Sequence, residues 1–180
     1  MSRPAPALPV KLFFSVFAAA DSLLNDTIRR LSALYGAPDF LSPQLSFDYT
    51  DYYYPEMGEK LLRRFFSMEK LIRPEELPDI KLVTNDLEKE WSLNDRRRVN
   101  IDPGYLSLAH LILATGKGYT HRPYLRDGIY ADLTLMYQGK KFCSLPWTYP
   151  DYADEKQLDM LCTIRARYLL QLKMMRTGII

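Results

Sequence analysis

The chain has 180 residues, of which 47% are apolar and 26% charged, the balance of an ordinary globular domain. That length and mix exclude long-range disorder, collagen, coiled coil and solenoid, and no repeat period is visible. Lys and Arg number 24 against 22 Asp and Glu, a formal net charge of +2, which alone argues neither for nor against nucleic acid or a membrane surface. The one departure is an excess of 13 Tyr over 8 Phe and 2 Trp.

Residues 1–9 carry Pro4, Pro6 and Pro9 and read as a flexible tail, with a single α+β domain over 10–180. Arg3 and Lys11 before an apolar run, with Ala18-Ala19-Ala20 after it, mimic a secretory leader. The run is short and broken by Ser15, so a buried first strand and a cytoplasmic location are the better reading. No apolar stretch approaches the roughly 18 residues that span a bilayer. Cys143 and Cys162 suit neither a disulfide framework nor a metal knuckle and read as reduced, buried thiols.

Val10 to Ala19 is an apolar run but for Lys11 and Ser15, as suits a strand covered on both faces. Asp21 or Ser22 then caps a helix whose Leu24, Ile28, Leu31 and Tyr35 share one face, and Gly36 with Pro38 ends it. Leu45 to Tyr54 has strand-type residues, and Leu61 to Ile72 returns as another strand. Pro74 and Pro78 suit a helix start, with Ile80, Val83, Leu87 and Trp91 on its inner face. Arg98 to Asp102 alternates like a strand, and Pro103-Gly104 is expected to turn the chain. Tyr105 to Ala114 leaves helix and strand in competition, with strand preferred. Asp127-Gly128 is a hairpin signal, followed by alternation from Ile129 to Tyr137, a turn at Gln138-Gly139 and a strand from Phe142 to Leu145. A capping box from Asp154 to Gln157 opens a last helix reaching about Arg176. The order β-α-β-β-α-β resembles a ferredoxin-like split βαβ sheet, extended by an extra β-hairpin and a C-terminal helix.

Four polar-aromatic segments are candidates for chemistry. Phe47 to Tyr54 lies in a stretch, 39–59, with five acids and no Lys or Arg. As a strand it would put Asp48, Thr50 and Tyr52 on one face, though it reads equally as an edge strand that wets its Tyr hydroxyls. Arg96 to Tyr105 would align Arg96 and Arg98 with Asn100 and Asp102, either as an anion reader or as a solvated edge. Thr115 to Arg122 looks like a phosphate loop but lacks its first Gly and its Ser or Thr. Lys117 between two glycines can still serve an anion, and His121 beside Arg122 would stay neutral, as a general base must. A lone His without a visible partner is also a structural feature, and His110 is read as such. Leu145 to Tyr152 holds Trp147 and Asp151 on a rigid two-proline segment, either packed or as an aromatic wall with Asp151 as a ligand.

Asp48, Asp51, Asp102, Asp132 and Asp151 are hard donors that would suit Mg²⁺ together with a substrate phosphate, whereas no zinc spacing and no nucleophile elbow is present. From Arg96 to Lys141 the local charge is +5. Six ordered pieces, FDYTDYY from Phe47, EMG from Glu56, RRRVNIDPGYL from Arg96, HRPYL from His121, GIYADLTLMY from Gly128 and WTYPDY from Trp147, resemble the family called domain of unknown function 4416. The resemblance spans Val10 to about Leu172 and implies one small cytoplasmic domain with no assigned activity. Pro123 stands where the family pattern suggests Ile, and Asp132 where it suggests Glu.

The leading expectation is binding, with turnover left open, of a phosphorylated small molecule or nucleotide. Arg98, Lys117 and Arg122 would hold phosphate. Tyr52, Tyr105 and Trp147 would wall the pocket, with Asp48, Asn100 and Asp151 as further contacts. Asp102, His121 or Asp132 would do proton or metal work. An RNA-binding module and a homo-oligomeric scaffold with buried Tyr and Arg are the alternatives.

Overall fold

The computed structural model describes residues 3–178; Met1 and Ser2 of the expected tail, and Ile179 and Ile180, lie outside the described residues. Val10–Ala18 forms strand β1, buried along its whole length. Alternation splits it between two cores. Leu12, Phe14 and Val16 face one side, with helix α1 (Asp21–Tyr35) and helix α3 (Leu77–Glu90). Phe13 faces the other, where helix α5 (Glu155–Arg176) packs through Leu161, Ile164 and Tyr168. A strand between two helical layers has no solvated face, which is why its sequence is apolar at every step but Lys11 and Ser15.

The other strands are β2 (Pro38–Leu41), β3 (Leu45–Phe47), β4 (Leu61–Ile72), β5 (Val99–Leu106), β6 (His110–Thr115), β7 (Tyr124–Arg126), β8 (Ile129–Gln138) and β9 (Lys141–Ser144). Short helices α2 (Tyr54–Met57) and α4 (Pro150–Ala153) lie in the connections. The spatial order is β2-β4-β1-β5-β6-β8-β7, with β3 beside β4 and β9 beside β8. Every pairing is antiparallel. The fold is α+β, one large antiparallel sheet with a C-terminal helix. Four strands, not one hairpin, follow β5.

Several local signals act as read. Asp127 and Gly128 take φ of 54° and 77° and join β7 to β8, the backbone a two-residue hairpin requires. Asp154 caps α5 by accepting from Lys156 N at 2.9 Å. Tyr105 to Ala114 is strand on both sides of a tight turn at Ser107–Ala109. The second hairpin turn falls one residue later than expected, at Gly139-Lys140. Val83 points to solvent, and Lys81 and Thr84 take the inner face of α3 instead. The cysteines are unpaired but half-buried rather than buried.

Neither Asp21 nor Ser22 caps α1, whose N-cap is Ala20 with no side-chain hydrogen bond, and two larger expectations fail. Only Leu45–Phe47 of the tyrosine-rich stretch is strand. Thr50 Oγ1 accepts from Tyr52 N at 3.1 Å and Asp51 O from Tyr54 N at 2.9 Å, so local turn bonds displace the ladder. Pro103-Gly104 makes no turn and sits inside β5. A Cβ on Gly104 would stand 2.4 Å from Ile112 O and 2.7 Å from Leu113 Cδ2. The glycine is there for the close approach of β6.

Candidate functional site

β5 pairs with β6 only from Gly104 onward, through Gly104↔Leu113, Tyr105↔Ile112 and Leu106↔Leu111. Its first half has β1 on one side and no strand on the other. Backbone groups left there must find other partners. Ile101 N–H donates to Glu88 Oε1 at 2.5 Å, and Ile101 O accepts from Lys81 Nζ at 2.9 Å. Lys81 and Glu88 are seven residues apart, two turns on one face of α3, so the helix replaces the missing strand. In an antiparallel ladder the backbone groups of one residue point the same way, alternating along the strand. Pro103 therefore points like Ile101, and its missing N–H falls where the strands part.

The parting opens a cleft of about 290 Å³. Asn100 and Asp102 of β5 form one side, and Leu113 to Lys117 at the end of β6 the other. Asp132 of β8 sits next to this second side, since it pairs with Leu113. The connection between β3 and α2 adds Tyr52 and Tyr53, the N-cap of α4 adds Tyr149, and α4 itself adds Asp151 and Tyr152.

Four ion pairs surround the cleft. Arg63 Nη1 pairs with Asp151 Oδ2, both buried, and its guanidinium lies 4.1 Å from the Phe65 ring centroid. Arg97 grips Glu56 at 2.8–3.0 Å through Nε and Nη2. That hydrogen bonding holds the Glu56 carboxyl below its usual range and the guanidinium above its own. Lys81 Nζ is 3.7 Å from Asp102 Oδ1. Arg122 Nε is 2.8 Å from Asp132 Oδ2. Burial opposes the charge of Arg122, but the Tyr149 hydroxyl, accepting at 3.2 Å, and Asp132 keep its pKa above the usual value.

This pairing leaves two charged groups over. Lys117 is exposed at the rim with no ion-pair partner among the described residues. Its Nζ lies 5.0 Å from the Tyr52 ring centroid. Glu88 is buried on the inner side, where desolvation pushes its carboxyl up to about 7 against the opposing pull of Lys81 and the Ile101 amide. With Glu56 counted, five cations meet five acids, so the cleft is neutral when Glu88 is ionised and +1 when it is protonated.

The structure brings together seven of the residues singled out from sequence. Tyr52, Asn100, Asp102 and Lys117 line the cleft, as do Arg122, Asp132 and Asp151. Asn100 Nδ2 donates to Asp102 Oδ2 at 2.7 Å and its Oδ1 accepts from Arg97 at 3.1 Å. His121 stands behind Asp132, with Nε2 3.7 Å from Oδ1, and stacks on Trp147 at 4.8 Å. Its Nε2 is buried with no hydrogen-bond partner among the described residues. Trp147 spends its indole N–H on Leu133 O at 2.8 Å, so it braces His121 and does not wall the cleft.

Three candidates are elsewhere. Asp48 is exposed outside the cleft. Tyr105 faces the α1–α3 side and packs into that core. Arg98 is exposed and Arg97 takes its place, because β5 begins only at Val99 and the alternation does not extend back through the Arg run. Sequence reasoning missed Glu56, Arg63, Lys81, Glu88 and Tyr152. Arg63 carried a signal, a charge in register with Leu61 and Phe65 on one strand face. So did Lys81 and Glu88, at helical spacing within an apolar face.

No curated protein and no solved structure matches the chain. The model of the family described as domain of unknown function (DUF4416) matches residues 8–168, and the chain belongs to that family.

Proposed function

We propose that the cleft between β5 and β6 binds a small phosphorylated molecule or nucleotide. The observation that carries this is Lys117, the cation left without an acid at the mouth of a cleft whose other cations are each held by a carboxylate. An anion arriving there gains a charge-assisted contact without breaking an internal pair. Arg122 supports the same loop by donating to Lys117 O at 3.2 Å. Tyr52 and Tyr149 offer exposed ring faces beside it. No three His, Cys, Asp or Glu side chains gather as a metal centre among the described residues. A Mg²⁺ ion would therefore depend on the ligand's own phosphate oxygens and on water for most of its coordination.

Six elements support the ferredoxin-like reading, with β2 rather than the Leu45 to Tyr54 stretch as the second strand: β1-α1-β2 and β4-α3-β5 lie in the order β2-β4-β1-β5. The face on which such sheets stack RNA bases lies under α5, with Phe13 and Phe65 wholly buried, which weighs against that alternative. Two unpaired cysteines support a reducing, cytoplasmic setting. The test is a thermal-shift and calorimetric screen of nucleotides and sugar phosphates, with and without Mg²⁺. Binding weakened by Lys117→Ala is expected. A ligand at a hundred times its Kd stabilises by about 2.7 kcal/mol, so the absence of any shift from every phosphorylated compound overturns the reading.

A further inference from the structure

Apolar surface left open beside a cleft marks a contact site. Among the described residues six aromatic side chains are exposed: Tyr49, Tyr52, Tyr119, Tyr124, Trp147 and Tyr149. Five of them rest against another ring. Tyr49 tilts on Phe47 at 6.2 Å, Tyr52 stands edge-on to Tyr53 at 5.0 Å, and Tyr124 edge-on to Tyr130 at 5.2 Å. Tyr119 and Trp147 both lean on His121, at 5.4 and 4.8 Å. Of the six, Tyr149 alone has no ring against it, and no cation lies over its face.

The ring of Tyr149 is nonetheless held in place. It lines the cleft and is 53% exposed. Its hydroxyl accepts from Arg122 Nη2 at 3.2 Å. Its carbonyl accepts from Tyr152 N and Ala153 N at 3.0 and 3.2 Å, at the N-cap of α4, and Pro150 follows it with a fixed φ. An open ring face so anchored is a platform for a second flat group. The guanidinium that holds Tyr149 also holds the phosphate site. Arg122 Nη1 donates to Lys117 O at 3.2 Å, while its Nε is spent on Asp132. Lys117 and Tyr149 are thus tied to one group and line one cleft, and the long Lys side chain is flexible enough to follow an anion there. The remaining wall carries Asp102, Asp132 and Asp151, whose cations are committed to them. A second phosphate would meet those carboxylates with no cation to spare.

We propose that the ligand is a nucleoside monophosphate, with its phosphate on Lys117 and its base stacked on the open ring of Tyr149 at the mouth of the cleft. This rests on the phosphate reading above and names the group that the phosphate carries. A sugar phosphate satisfies Lys117 but leaves the ring without a flat partner. A nucleoside triphosphate fills the ring but brings two more phosphates to a site with one free cation.

The experiment is calorimetry on the full chain with AMP, ATP and ribose 5-phosphate. Adenine serves as the probe because stacking on an aromatic ring needs only a π-face. AMP should bind about five- to 150-fold more tightly than ribose 5-phosphate, the worth of one base stacked on an aromatic side chain, and at least as tightly as ATP. In Tyr149→Leu the advantage of AMP over ribose 5-phosphate should vanish. In Tyr149→Phe, which keeps the ring and drops only the Arg122 contact, the advantage should persist. Tyr149 is exposed, so neither variant threatens the fold. Lys117→Ala should weaken AMP and ribose 5-phosphate alike. Equal affinity of the wild type for AMP and ribose 5-phosphate, or an AMP advantage that survives in Tyr149→Leu, overturns the proposal while leaving phosphate binding intact. Tighter binding of ATP than of AMP overturns the single phosphate. No binding of any of the three overturns both readings.

Discussion

Replacing Glu88 by Gln isolates the one buried acid that the ion pairs leave over. Burial raises its carboxyl from the ordinary 4.5 to about 7. Below pH 4.5 the group is protonated in the folded and the unfolded chain alike and contributes no pH dependence. Between 4.5 and 7 the unfolded chain has released the proton and the folded chain keeps it, so each rise in pH favours unfolding. Above 7 both states are ionised and the loss is complete. At roughly 1.4 kcal/mol per pH unit, that window removes about 3 kcal/mol. Gln keeps a carbonyl oxygen for the Ile101 amide and has no proton to lose. Urea unfolding of both proteins from pH 4.5 to 8 is the assay. The stability difference should move by about 3 kcal/mol in favour of the Gln variant as pH rises, and the other titrations, common to both proteins, cancel. A difference that stays flat refutes the reasoning, because Glu88 would then be ionised in the folded protein throughout. Lys81, whose charge lowers the Glu88 pKa, supplies a check of sign: Lys81→Met should carry the window to higher pH.

Other substitutions test the frame around the cleft. Gly104→Ala drives a Cβ against a backbone oxygen of β6, and overpacking of this kind should lower the melting temperature by roughly 5–10 °C in calorimetry. Arg63→Met leaves Asp151 buried and unpaired, a loss of about 3–5 kcal/mol in urea unfolding. Adding Asp151→Asn should restore much of it, and a double variant no more stable than the single one shows that the pair is not what matters. Asp154→Ala removes the α5 cap and should lose about 1 kcal/mol by the same assay.

What the sequence disclosed follows the range over which each feature is decided. β1, the Asp127-Gly128 hairpin and the Asp154 cap are settled within a few residues, and each appears where its residues point. The tyrosine-rich stretch misleads because strand propensity there competes with Thr50, whose hydroxyl captures Tyr52 N–H. Pro103-Gly104 misleads for the opposite reason. Its local preference for a turn yields to pairing with β1, where Phe14 faces Pro103 and Phe13 faces Gly104. The parity of the Arg run could not be read without knowing that β5 starts at Val99, and a shift of one residue exchanges Arg98 for Arg97.

The candidate site was half visible for a related reason. Its loop residues, Lys117 and Arg122, stand out because polar groups in loops have no structural pattern to hide in, and Asp151 stands out at the start of the short helix α4. Arg63, Lys81 and Glu88 lie inside regular elements, where the eye follows the apolar positions. A charge on a core-facing position is the stronger clue of the two. It cannot stay there unpaired, so it announces a partner, and partners of this kind come from far along the chain: Arg63 and Asp151 are 88 residues apart, Glu56 and Arg97 are 41 apart. Such pairs converge only where the sheet leaves room for them. In this protein that place is the gap between β5 and β6, where Lys81 and Glu88 stand in for a strand. The side chains that repair the broken ladder are thus the ones that line the cleft, and its chemistry follows from the break in the sheet.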